Sequence, residues 1–95
     1  MREAVIVSTA RTPIGKAFRG AYNATRAPTL GGHVVREAVR RAGIEGAEVE
    51  DVIMGAALQG GTTGWNIGRM CALAAGLPVS VAGMSMDRQC ASGLM

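Results

Sequence analysis

Aromatic residues are scarce in this chain: Phe18, Tyr22 and Trp65 are all of them. Bases therefore have no platform to stack on, which weakens a nucleic-acid role despite a formal net charge of +3. The positive charges are also scattered. Arg36, Arg40 and Arg41 form the only local cluster, and Glu37 sits among them. Such a balance is compatible with attraction to an anionic small molecule without requiring one. Histidine occurs once, at His33, and cysteine twice, at Cys71 and Cys90. That set, with its wide spacing, makes no metal site. Apolar runs are all far shorter than the roughly 20 residues that cross a bilayer. The start, Met1-Arg2-Glu3-Ala4-Val5-Ile6-Val7, has neither the apolar core of a signal peptide nor the Arg/Ser-rich pattern of a transit peptide. A cytoplasmic protein with reduced thiols is the expectation.

Apolar residues make up 48% and charged residues 18%, a globular balance rather than a disordered one. Ninety-five residues allow one small domain or part of a larger one. Ala4-Val5-Ile6-Val7 is a β-branched run that predicts a buried parallel strand, extended by Ser8 and Thr9. Arg11 to Pro28 shows no period and predicts a long loop. Thr29 to Ala42 predicts a helix with Thr29 as its N-cap. Leu30, Val34, Val35, Ala38, Val39 and Ala42 form its apolar face, and Gly43 is its stop. His33 falls on the polar face, where a solvated residue is favoured over a catalytic base.

A second strand is expected over Val52 to Leu58, then a glycine-rich turn over Gln59 to Gly64. Asn66 caps a second helix, Ile67 to Ala75, with Gly76 and Pro78 beyond its end. A third strand spans Val81 to Met86, and a last helix begins at Cys90 and runs to Met95. The predicted class is α/β with a mainly parallel sheet, in the order β-α-β-α-β followed by the start of a helix. Ending inside a helix predicts that residues 1–95 are an incomplete domain.

Two phosphate-loop look-alikes fail. Ala10 to Ala17 nearly fits a phosphate loop, but it has Ala10 in place of the first glycine and Ala17 in place of the hydroxyl residue, and Pro13 removes an amide. Gly60-Gly61-Thr62-Thr63-Gly64 has the wrong spacing for a dinucleotide turn and is better read as a flexible turn. Cys71, inside the second helix, is expected to be a buried structural thiol.

Cys90 stands apart. It follows a strand after the bend Asp87-Arg88-Gln89 and opens a segment containing Ser92 and Gly93. A strand-to-helix elbow exposes a nucleophile at a sheet edge. The free amides of a helix start favour a thiolate and can hold an oxyanion. Gly93 leaves room for a ligand or another backbone.

Asp87-Arg88-Gln89-Cys90-Ala91-Ser92-Gly93-Leu94 resembles the nucleophile motif of the thiolases. Val5 to Lys16 is similar to the opening segment of that family. Val52-Ile53-Met54-Gly55, Gly60, Asn66, Arg69, Ala72 and Ala75-Gly76-Leu77-Pro78 match the blocks between them, in order and in register. Two departures bear on subfamily and acyl-chain preference: Asp87 stands where Asn is more usual, and Trp65-Asn66-Ile67-Gly68-Arg69 replaces a more usual Gln-Asn-Pro-Ala-Arg stretch.

The resemblance implies a layered αβαβα fold in the full enzyme, with this chain as the N-terminal part of its N-terminal domain. It implies an acyltransferase acting on CoA thioesters, with Cys90 as the nucleophile that carries the acyl group and its own amide as an oxyanion donor. Coenzyme A enters as substrate, and no cofactor or metal is implied. The activating histidine, a second cysteine that moves the α-proton, and the CoA-gripping loop all belong to the later part of such enzymes. His33 and Cys71 do not match those motifs. A homodimer or homotetramer is implied, with Gln59 to Arg69 near the partner subunit; nucleic acid and membrane are not implied partners. Two other readings stand beside this one. The first is a different thiolase-fold enzyme, such as a ketoacyl synthase or a lipid-carrier-like protein. The second is a non-catalytic fragment serving assembly.

Overall fold

The computed structural model describes all residues, Met1–Met95. Two parallel strands pair side by side, β1 (Asp51–Gly55) and β2 (Ala82–Met86), with Ile53 opposite Met84. The helix between them in sequence, α2 (Ile67–Ala74), packs on both strands, and α1 (Ala27–Ala42) packs on α2. The α/β class is as expected, with a βαβ unit at its centre.

Val52, Ala72, Ala75, Leu77 and Val81 form the buried core, and Val35, Val39 and Val49 pack against it. Of the predicted apolar stripe of α1, Val35 and Val39 meet this core, while the buried residues of the helix are Pro28 and Gly32. Small residues let the layers close. A side chain at Gly68 would strike the carbonyl of Met84, and one at Gly83 would strike the backbone of Arg69. Side-chain staples add to this contact. Asn66 caps α2 by accepting from the Arg69 amide at 3.3 Å, and its own amide donates to the Gly83 carbonyl at 2.9 Å. Arg69 donates to the carbonyls of Val79 and Val81. Arg36, on α1, donates to the last carbonyls of α2, Ala74 at 2.8 Å and Ala75 at 3.2 Å, where a cation suits the helix end.

Several boundaries differ from expectation. The run Ala4 to Val7 is not a strand here: Val5, Ile6 and Val7 are 72%, 88% and 70% exposed. β-branched residues favour extended backbone, but a ladder needs a partner, and β1 and β2 pair only with each other. The segment is held instead against α1. Ser8 donates to the Ala38 carbonyl at 2.7 Å, and Arg41 donates to the Thr9 carbonyl at 2.8 Å.

The first helix begins at Ala27, so Pro28 lies in its first turn and Thr29 is not the cap. Arg26 is the N-cap residue and supplies no side-chain bond. The Ala27 amide instead donates to the hydroxyl of Thr62, far along the chain, at 3.0 Å. Strand β1 stops at Gly55 rather than Leu58, though the Ala56 amide still reaches the Met86 carbonyl at 2.9 Å. The segment after Cys90 forms hydrogen-bonded turns rather than a helix, with bonds from the amides of Ala91, Ser92 and Leu94 to the carbonyls three residues back. Only Met95 makes a helix-like bond, to the Ala91 carbonyl. A single such bond does not offset the cost of ordering a helical turn.

Candidate active site

The polar loop from Asp87 to Leu94 carries Cys90 off the end of β2. The bend is built from short-range polar contacts. The Asp87 carboxylate accepts from the Gln89 amide at 2.9 Å, a turn that Asp and Asn side chains favour. Gln89 has φ of 47°, the left-handed region that costs a residue with a Cβ. That sharp turn leaves the next residue, Cys90, exposed as a free thiol. A sharp bend therefore stands where a strand-to-helix elbow is expected, but turns follow it in place of the helix, and the unusual backbone lies one residue ahead of the cysteine.

Ser92 is buried, at 7% exposure. Its hydroxyl accepts from the Arg88 amide at 2.8 Å and donates to the Gln89 carbonyl at 2.7 Å, bridging the loop on both sides of the bend. The end of β1 meets the same spot. A side chain at Gly55 would strike the Ser92 carbonyl and the Gly93 amide, both of them backbone that cannot swing away. Beyond Gly93 there is open space, since a Cβ there would meet nothing within 4 Å.

No hydrogen bond within the chain engages the amides of Cys90 or Gly93. The site thus offers an accessible sulfur and an unspent donor at the same residue. An acyl carbonyl approaching the sulfur needs such a donor for the charge that develops on its oxygen. That amide lies on a turn, where a helix N-terminus is expected.

The other titratable groups do not join this site. His33 is exposed on α1, and no hydrogen bond ties it to the Cys90 loop. Cys71 is fully buried in α2, its sulfur against Gly31 and near Met54, and burial pushes its thiol pKa up. It stays protonated and out of reach, as a structural thiol should. A cleft of about 300 Å³ lies elsewhere, between Thr9, Ala10, Arg11 and Arg41, and no part of the Cys90 loop lines it.

Cys90, Ser92 and Gly93 stand out in the sequence, but Gly55 does not, because its role depends on a contact across the fold. The Asp87 turn was legible, because an Asp two residues before an amide-bearing bend is a known turn signal. The hydroxyl bridge of Ser92 was not, since the same residue in a helix would bond differently.

Comparison with known proteins places these residues in a wider setting. The family described as "Thiolase, N-terminal domain" matches residues 4–95. The chain is 43% identical over 94 residues to a 3-ketoacyl-CoA thiolase of Bacillus subtilis, covering 99% of this chain and 24% of that protein. It is 45% identical over 94 residues to an acetyl-CoA acetyltransferase of Cupriavidus necator, covering 99% of this chain and 23% of that one. A thiolase from Ascaris suum, solved in complex with coenzyme A, superimposes with a TM-score of 0.83 at 33% identity, over 92% of this chain and 22% of that one. The chain thus spans about a quarter of the length of the curated relatives it matches.

Proposed function

The chain belongs to the thiolase family, and from that premise we propose that it supplies the acyl-carrying nucleophile, Cys90, of an acyltransferase working on CoA thioesters. The observation that carries this reading is the exposed Cys90 thiol on a sharp turn whose own amide is unspent.

The thiolate attacks the ketone carbon of a 3-ketoacyl-CoA. The carbon–carbon bond to the departing acetyl-CoA breaks, and the remaining acyl group stays on sulfur as a thioester. The thiol of a free CoA then takes that acyl group and returns the cysteine. In the reverse direction an acetyl-cysteine condenses with a second acetyl-CoA. Sulfur suits both directions because exchange between two thioesters is nearly balanced in energy, whereas an oxygen ester at a serine would be harder to pass back. The Cys90 amide stabilises the oxyanion of each tetrahedral intermediate.

The only histidine, His33, is on α1, and Cys71 is buried. A base that activates Cys90 and a group that moves the α-proton therefore come from the remainder of a full-length thiolase. We place the working enzyme in the cytoplasm as a homo-oligomer. Trapping with labelled acetyl-CoA in the complete protein is expected to put the label on Cys90, as read by peptide mass spectrometry. Label on Cys71 alone would overturn the assignment, as would thiolysis by residues 1–95 on their own.

A further inference from the structure

We infer that Ser92 is a positioning residue for Cys90, its buried hydroxyl latching the loop that presents the sulfur. The inference deepens the acyl-transfer reading above and rests on it. The Ser92 hydroxyl makes no hydrogen bond to Cys90. It acts through the backbone on either side of Gln89, accepting from the Arg88 amide at 2.8 Å and donating to the Gln89 carbonyl at 2.7 Å. These two backbone partners flank the φ of 47° at Gln89. A left-handed turn at a residue with a Cβ persists only where its surroundings hold it.

The latch is also pressed against a rigid element. Ser92 is 7% exposed, and its backbone sits where a side chain at Gly55, the last residue of β1, would have to go. The loop therefore has little freedom on the Ser92 side and open space on the Gly93 side. Removing the hydroxyl leaves the part-buried Arg88 amide without its partner. The Gln89 turn can then relax, taking with it the direction of both the Cys90 sulfur and the Cys90 amide.

The test uses the complete thiolase chain carrying Ser92→Ala or Ser92→Thr, with acetyl-CoA and iodoacetamide as probes of Cys90. Ser92→Ala is expected to slow acetylation of Cys90 by about tenfold, the worth of roughly one net hydrogen bond. KM for acetyl-CoA should hold, because the latch orients the nucleophile and does not grip CoA. Ser92→Thr keeps the hydroxyl and is expected to retain the parent rate. Acetylation of Ser92→Ala at the parent rate would overturn the inference, and so would a folded Ser92→Thr as slow as the alanine variant. If Ser92→Ala does not fold, the threonine variant decides alone, by its rate. Iodoacetamide separates this inference from the functional reading. Should the parent enzyme fail to acetylate Cys90 at all, acyl transfer is refuted, while a slower alkylation of Cys90 in Ser92→Ala would still show the latch.

Discussion

Cys71 lies fully buried in the middle of α2, whereas Cys90 stands exposed on a turn beyond β2. The two side chains are chemically the same, and their settings give them opposite work. Around Cys71, desolvation disfavours the thiolate and α1 closes over the sulfur at Gly31. Around Cys90, the backbone spends its hydrogen bonds on shaping the turn and leaves the cysteine's own amide unpaired. A cysteine becomes a candidate nucleophile here through exposure combined with a rigidly held loop. Burial makes the other one core.

The largest effect that would sharpen or break this contrast is on turnover. In the complete enzyme, Cys90→Ala is expected to lower acyl transfer by at least about a thousandfold, the scale of losing a nucleophile. Its stability should stay within about 0.5 kcal/mol of the parent, as for other exposed sites. Cys71→Ala should leave turnover within a few-fold. Steady-state thiolysis with denaturation curves on the same samples checks both, and a folded Cys71→Ala that cannot turn over would invert the contrast.

Next in size is stability at the buried cysteine. Cys71→Ser places a hydroxyl where the packing is apolar, and it is expected to cost roughly 1–3 kcal/mol. Cys90→Ser should cost close to nothing. Urea unfolding of the two variants compares them directly, and equal costs would mean that the two environments are not distinct.

The smallest effect serves as a control on the far side of α1. Hydrogen bonds from Arg40, and after it Arg41, hold the Glu37 carboxyl down at about 2 instead of 4.5. Because the folded value is the lower one, the contribution is present above pH 4.5 and fades as pH falls toward 2. The pair distances are 2.5 and 2.8 Å, but both arginines are solvent-exposed, so the gain is small and salt weakens it. Glu37→Gln should therefore lower the melting temperature slightly at neutral pH, do so less in high salt, and do nothing near pH 2. Neither cysteine should change in reactivity toward iodoacetamide, and a change at Cys90 would show that α1 communicates with the loop.

Much of this was legible in the residues. The 3.6-residue spacing predicts that Val35 and Val39 of α1 turn toward the core, and Asn66 before an apolar run predicts the start of α2. Both signals are local, so they survive whatever the rest of the chain does. The start of α1 differs from its local signal because its capping hydroxyl, Thr62, comes from across the fold. Ala4 to Val7 does not join the sheet for a related reason: extended propensity is local, but a ladder partner is not.

The order of motifs from Val5 to Leu94 by itself pointed to the thiolase family and to Cys90 as the candidate nucleophile, because side-chain chemistry and spacing are written in the chain. Only the tertiary structure decided how Cys90 is held. Gly55 acts by what it lacks, and Ser92 by two bonds that depend on a turn at Gln89 rather than on a helix. Such roles arise where separate segments meet, since contacts across the fold depend on packing and leave no period or spacing to read in advance.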